Sequence, residues 1–125
     1  MDVPSEYPDV EDSFIIGSGG GFTGEYNIFK VHSTGVVDKL DEESQTYKWY
    51  TEISTDSTFN YYEEFGKLNI TSIDFNHPGN MTFFIEVNTE DGMHTVKWGD
   101  EKFQINKAVE LFFEKMMTAI YEKER

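Results

Sequence analysis

Cysteine is absent, which excludes disulfides, thiolate zinc sites, iron–sulfur ligation and cysteine nucleophiles. The absence selects no compartment, because reducing and oxidising environments both hold cysteine-free domains. Bases are scarce: ten Lys and Arg stand against 24 Asp and Glu, a formal net charge of −14. Without a Lys/Arg cluster the chain has no footprint for a phosphate backbone, so no nucleic-acid partner is expected. The negative charge favours solubility, and it also suits steering toward a basic protein surface. No apolar run approaches the roughly 20 residues that cross a bilayer, so no membrane insertion is expected. The opening "MDVPSEYPDVEDS" has neither a basic n-region nor an apolar h-region, and it does not read as a signal peptide. If Met1 is native the expected compartment is the cytoplasm; if a leader has been removed, it is extracytoplasmic.

Aromatics, by contrast, are abundant: eleven Phe, seven Tyr and two Trp in 125 residues. A chain of this length forms one domain and buries roughly two-thirds of its extended surface. Residues 1–12 hold five acids, two prolines and no base, which is the composition of a disordered tail ahead of a single domain over 13–125.

Periodicity sets the elements. "NMTFFIEV" (80–87) and "MHTVKW" (93–98) alternate around "NTEDG" and predict a hairpin. With Asp91-Gly92 as a two-residue turn, Val87 lies opposite Val96, Ile85 opposite Trp98, and Glu86 beside Lys97. From Asn106 as N-cap to about Lys123, Val109, Phe112, Phe113, Met116 and Ile120 recur at helical spacing. "STDSTFNYYEEFGKL" predicts a second helix from about Ser57, capped by Asp56 or Ser57, with Gly66 as a cost or a terminus. "TYKWYTEI" (46–53) reads as a strand with Tyr47, Trp49, Thr51 and Ile53 on one side. "GVVDKL" (35–40) pairs with the preceding strand across "HSTG", and Pro78-Gly79 marks a turn in the loop before the hairpin. The order is strand, glycine loop, three strands, helix, two strands, helix. The expected fold is α+β: an antiparallel sheet of five to six strands with both helices packed on one face.

"GSGGGFTGEYNIFKV" (17–31) carries the main functional question. Gly19, Gly21 and Gly24 formally match G-x-G-x-x-G, a motif that brings backbone amides to a pyrophosphate at a helix N-terminus. A strand follows here instead of a helix, and the kinase signatures are missing too. A hairpin tip is the simpler reading, and no cofactor is expected. His32, His77 and His94 lie far apart in sequence without metal-ligand spacing, and His94 falls on the core side of the hairpin as a packed, hydrogen-bonded residue. "DKLDEES" (38–44) and "GDE" (99–101) lack EF-hand spacing and read as solvated loops. Neither a nucleophile elbow nor a recognisable carboxylate pair appears, so no catalytic residue, no metal site and no enzyme activity is expected.

The segment "GSGGGFTG" entering a strand, a helix ending "FGKL", then "GNMTFFIEV…HTVKWGD" and a last helix together resemble the emfourins, small bacterial α+β inhibitors of thermolysin-like metalloproteases. With one glycine treated as inserted, Ser18, Gly20, Gly21, Phe22 and Gly24 match the family's S-G-G-F-x-G opening. The element order matches over roughly Phe14 to Tyr121, while about Asp41 to Ile53 is extra. The resemblance implies a protein-binding domain, with a metalloprotease as partner and Ser18, Gly20, Gly21, Phe22, Thr23 and Gly24 as its contact loop. A binding module or surface-assembly component with another target is the alternative. Phe22 either anchors the loop in the core or stands out beside the glycines as an aromatic contact.

Overall fold

The computed structural model describes residues 13–21 and 24–123. The acidic segment 1–12 and the pair Phe22–Thr23 lie outside the described residues. Among the described residues six strands form one antiparallel sheet: β1 (Ser13–Gly20), β2 (Tyr26–His32), β3 (Val36–Asp41), β4 (Thr46–Glu52), β5 (Met81–Thr89) and β6 (Gly92–Trp98). Their spatial order is β4-β3-β2-β1-β5-β6. Helices α1 (Thr55–Leu68) and α2 (Lys107–Lys123) follow β4 and β6. The protein is therefore α+β.

Alternation along the strands turns Phe14, Ile16, Phe29, Val31, Val37, Ile85, Val87, Val96 and Trp98 toward one side, all under a tenth exposed. Both helices cover that side. Phe14 stacks on Phe65 of α1 at 4.4 Å between ring centroids and meets Phe112 of α2 at 6.0 Å. A second aromatic group joins Phe83 and Trp98 of the sheet to Phe113 of α2. Burying each such side chain contributes about 1.5–3 kcal/mol relative to exposure. Tyr62 brings a hydroxyl into this core and donates it to the Val31 carbonyl at 2.8 Å, so the polar handle is satisfied.

Four local expectations change. The hairpin turn is Glu90–Asp91, with Thr89 opposite Gly92, so Ile85 faces Val96, Val87 faces His94 and Phe83 faces Trp98. Glu86 accordingly lies opposite Thr95, and Lys97 opposite Phe84. Thr89 closes the turn, its hydroxyl donating to the Gly92 carbonyl at 2.7 Å and accepting from the Asp91 amide. The slip from the expected register is two residues. Because side chains alternate with a period of two, every residue keeps its face while every pair changes partner.

In β4 the register shifts between Val37 and Asp38: Val37 faces Thr51 while Asp38 faces Trp49. Tyr50 is the extra residue of a bulge, which splits the expected set of Tyr47, Trp49, Thr51 and Ile53. Thr51 and Ile53 are buried, whereas Trp49 is 65% exposed on the other side. Helix α1 is capped by Ser54, ahead of the expected Asp56 or Ser57, with Ser54 Oγ accepting the Ser57 amide. It runs through Gly66 and ends at Asn69, whose φ of 52° is left-handed. The α2 cap is as expected, with Asn106 Oδ1 accepting the Ala108 amide at 2.8 Å.

The segment before β5 is more than a loop. The Lys97 amide donates to the Phe75 carbonyl, and the His77 amide donates to the Lys97 carbonyl, both at 3.0 Å. Residues 75–77 thus run parallel along the outer side of β6. Pro78 and Gly79 form no turn of their own.

Candidate interaction surface

The glycine-rich stretch is mostly not a loop. Gly17, Gly19 and Gly20 belong to β1, which sits in the middle of the sheet between β2 and β5. Glycine is a poor strand former because it leaves a gap in the pleated surface. Here neighbouring strands fill the gaps. Gly17 lies opposite Phe84, and a Cβ on Gly17 would sit 2.9 Å from the Phe84 ring. Gly19 lies opposite Tyr26, whose ring occupies the space that a side chain at Gly19 would need. The aromatic on the partner strand covers the glycine, and Phe84 falls to 9% exposed on the face opposite the two described helices.

The ribbon closes where Gly20 donates its amide to the Glu25 carbonyl, and where Gly21 donates to the Asn80 carbonyl at 2.8 Å. Of the expected contact residues, Ser18 and Gly20 are half-buried inside β1, Gly21 and Gly24 are exposed with φ of 75° and 70°, and Phe22 and Thr23 lie outside the described residues. The ribbon leads into strand β2, so a G-x-G-x-x-G helix start is absent at this point.

The face opposite the helices is the larger feature. Ile15, Ile28, Leu40 and Tyr47 are half-buried there, beside Phe84 and the exposed Trp49. Lys30 spans part of it with its ammonium 4.4 Å from the Tyr47 ring centre. Burial, with the Glu86 carboxylate second, holds the Tyr47 phenol above its ordinary 10.0. On this face Lys30 and Lys97 stand against Asp38, Glu86 and Glu52, the last exposed between the inward Thr51 and Ile53. The Asp38 carboxylate also pairs with His32 Nε2 at 2.8 Å.

The histidines do not converge. His32 pairs with Asp38; His94 Nε2 bonds the Ile73 carbonyl at 2.8 Å on the core side, as expected; His77 stacks on Phe103 with ring centres 3.7 Å apart. Among the described residues no group of three His, Asp or Glu is arranged to hold a metal ion. Of the stretch 38–44, Asp38–Leu40 belong to β3, as the strand expected over 35–40 has it, Asp41 is the last residue of that strand, and only 42–45 make the turn. Asp41 closes that turn: Ser44 Oγ donates to its carboxylate at 2.8 Å, and Lys48 pairs with it at 3.1 Å. These two hydrogen bonds hold the Asp41 carboxyl below its ordinary 3.8. A hollow of about 520 Å³ opens beside this turn, lined by Glu25, Asn27, Asp41, Glu43, Lys48 and Tyr50 among others. No helix among the described residues is long and apolar enough to cross a membrane.

Sequence reasoning missed the open face because it placed Tyr47 and Trp49 on the same side of the strand as Thr51 and Ile53. The bulge that turns them outward leaves no mark in the pattern of Thr46–Ile53. The aromatic cover over glycine was also invisible, since it joins residues 67 positions apart (Gly17 and Phe84). Neither models of known protein families nor curated proteins return a match to the chain.

Proposed function

We propose that this domain acts by contact with another protein and not by chemistry on a small molecule. The observation that carries the reading is the open side of the sheet, where Trp49 is 65% exposed beside half-buried Tyr47, Leu40, Ile28 and Ile15. Soluble chains rarely leave an apolar sheet face of this kind bare without using it. Lys30 and Lys97 offset most of the acids on this side, so on a chain of −14 it repels an acidic partner less than a uniformly acidic surface would. A sheet tied down by helices on the other side is also rigid, which limits the entropy lost on binding.

The emfourin resemblance supplies one form of this reading: inhibition of a thermolysin-like metalloprotease, with the ribbon tip (Ser18, Gly20, Gly21, Phe22, Thr23 and Gly24) entering the cleft. Titration of the chain against several such proteases tests it. Inhibition that saturates at one equivalent, and that Phe22→Ala weakens, supports the inhibitor. Undiminished activity at micromolar excess of the chain removes the inhibitor and leaves a binding module for another target. Photo-crosslinking from position 49 in the producing cells tests the wider reading: adducts with a defined protein are expected, and their absence overturns it.

A further inference from the structure

We infer that the outer edge of β4 is a docking strand for an extended, basic segment of a partner protein; the inference rests on the protein-contact reading above and names its chemistry. The two ends of the sheet are treated differently. Beside β6, residues 75–77 already fill the outer side with backbone hydrogen bonds. Beside β4, the last strand at the other end, no described segment pairs. β4 has no proline and spans about 23 Å at 3.3 Å per residue, and on both sides of its Tyr50 bulge the outward amides and carbonyls pair with no described segment. Such an edge accepts a further strand, with main-chain bonds giving affinity and alternate side chains giving selectivity.

Charge selects the occupant. Glu42 and Glu43 in the turn before β4, and Glu52 at its end, are exposed. The nearby bases are already engaged: Lys48 pairs with Asp41, and Lys39 lies over the rings of Phe29 and Tyr50. The edge is therefore rimmed by carboxylates in excess. A second copy of this chain, itself at −14, meets repulsion there, whereas arginine or lysine side chains on an incoming strand find the acids at the turn. Trp49 is exposed on the same strand and offers its ring to an alternate side chain of the incomer, a guanidinium included.

The test uses the full chain with an acetylated, amidated heptapeptide that alternates arginine and valine, and a second peptide with glutamate in place of arginine. Backbone amide shifts and hydrogen exchange report the site. The arginine peptide is expected to shift and protect amides within Thr46–Glu52, and the glutamate peptide to leave them unmoved. Two exposed charges reversed together, Glu42→Lys with Glu43→Lys, should weaken binding about tenfold without unfolding the chain. Trp49→Ala should weaken it as well. No shift in β4 at millimolar arginine peptide, equal binding of both peptides, or an unaffected double variant overturns the inference. Sedimentation as a dimer, with β4 amides that change on dilution, overturns it in favour of a second copy. A chain that crosslinks to a partner while its β4 amides stay unmoved loses this edge but keeps the protein-contact reading.

Discussion

The two faces of the sheet are finished by opposite means. On one, large side chains from alternate positions meet a roof of two helices, and Phe14, Phe112, Ile16 and Ile85 are sealed to about 1% exposure or less. On the other, the middle strand has no side chains at Gly17 and Gly19, and rings from flanking strands lie across the gaps. The first face is stabilised by interlayer packing of residues distant in sequence. The second is stabilised within a single layer, by cross-strand pairs, and it leaves apolar surface in water. Glycine in a strand is thus not always a weakness: opposite an aromatic it forms a seat.

The contrast is most vulnerable on the roofed side. Phe112→Ala removes a fully buried ring between β1 and α1, and should cost about 3–5 kcal/mol in urea unfolding. A cost no larger than that of an open-face substitution would mean that the roof is not the stabilising layer. On the open side, Gly17→Ala drives a methyl to 2.7 Å from the Asn27 carbonyl oxygen and against the Phe84 ring. The strand must shift or the ring must leave its seat, at about 1–3 kcal/mol. Increased exposure of Phe84, read by ring proton shifts, should accompany the loss; a neutral substitution would refute the seat.

Smaller effects refine the same picture. Gly66 lies on the solvent side of α1, and a Cβ added there would meet nothing within 4 Å, so Gly66→Ala should stabilise by about 0.5–1 kcal/mol through helix propensity alone. A loss instead, in the same urea unfolding assay, would show that α1 needs its backbone freedom there. Trp49→Ala should change stability by less than about 0.5 kcal/mol despite the size of the residue, because its ring is mostly in water. Least of all is Asp41. Its carboxyl lies below 3.8 in the folded chain, so it stabilises above that pH, and the contribution disappears as acid protonates the folded form. Asp41→Asn should therefore be slightly less stable near neutrality and indistinguishable in strong acid, as compared by paired denaturation curves.

The residue pattern made much of the fold legible. The hairpin strands, the face shared by Ile85, Val87, Val96 and Trp98, the α2 stripe and its Asn106 cap all follow from period and capping chemistry. What it misplaced has one origin. The pairing of Ile85 with Val96 and not Trp98, the cap at Ser54 and the bulge at Tyr50 depend on where a neighbouring element stops. Near-equal local alternatives, such as Ser54, Asp56 and Ser57 as caps, differ too little in energy for local chemistry to choose between them.

The ribbon's site residues divide in the same way. That the backbone at Gly21 and Gly24 has positive φ was readable from glycine's freedom in a turn; that Ser18 and Gly20 lie within the central strand was not. Composition and alternation were enough to make this an acidic α+β chain with an aromatic core, because burial of apolar side chains follows their spacing. Which face the helices leave open, which edge pairs with no described segment, and that Phe84 and Tyr26 rest on glycines were settled only in three dimensions. Those outcomes require strands far apart in sequence to lie side by side, and a local pattern holds no information about a neighbour it has not yet met.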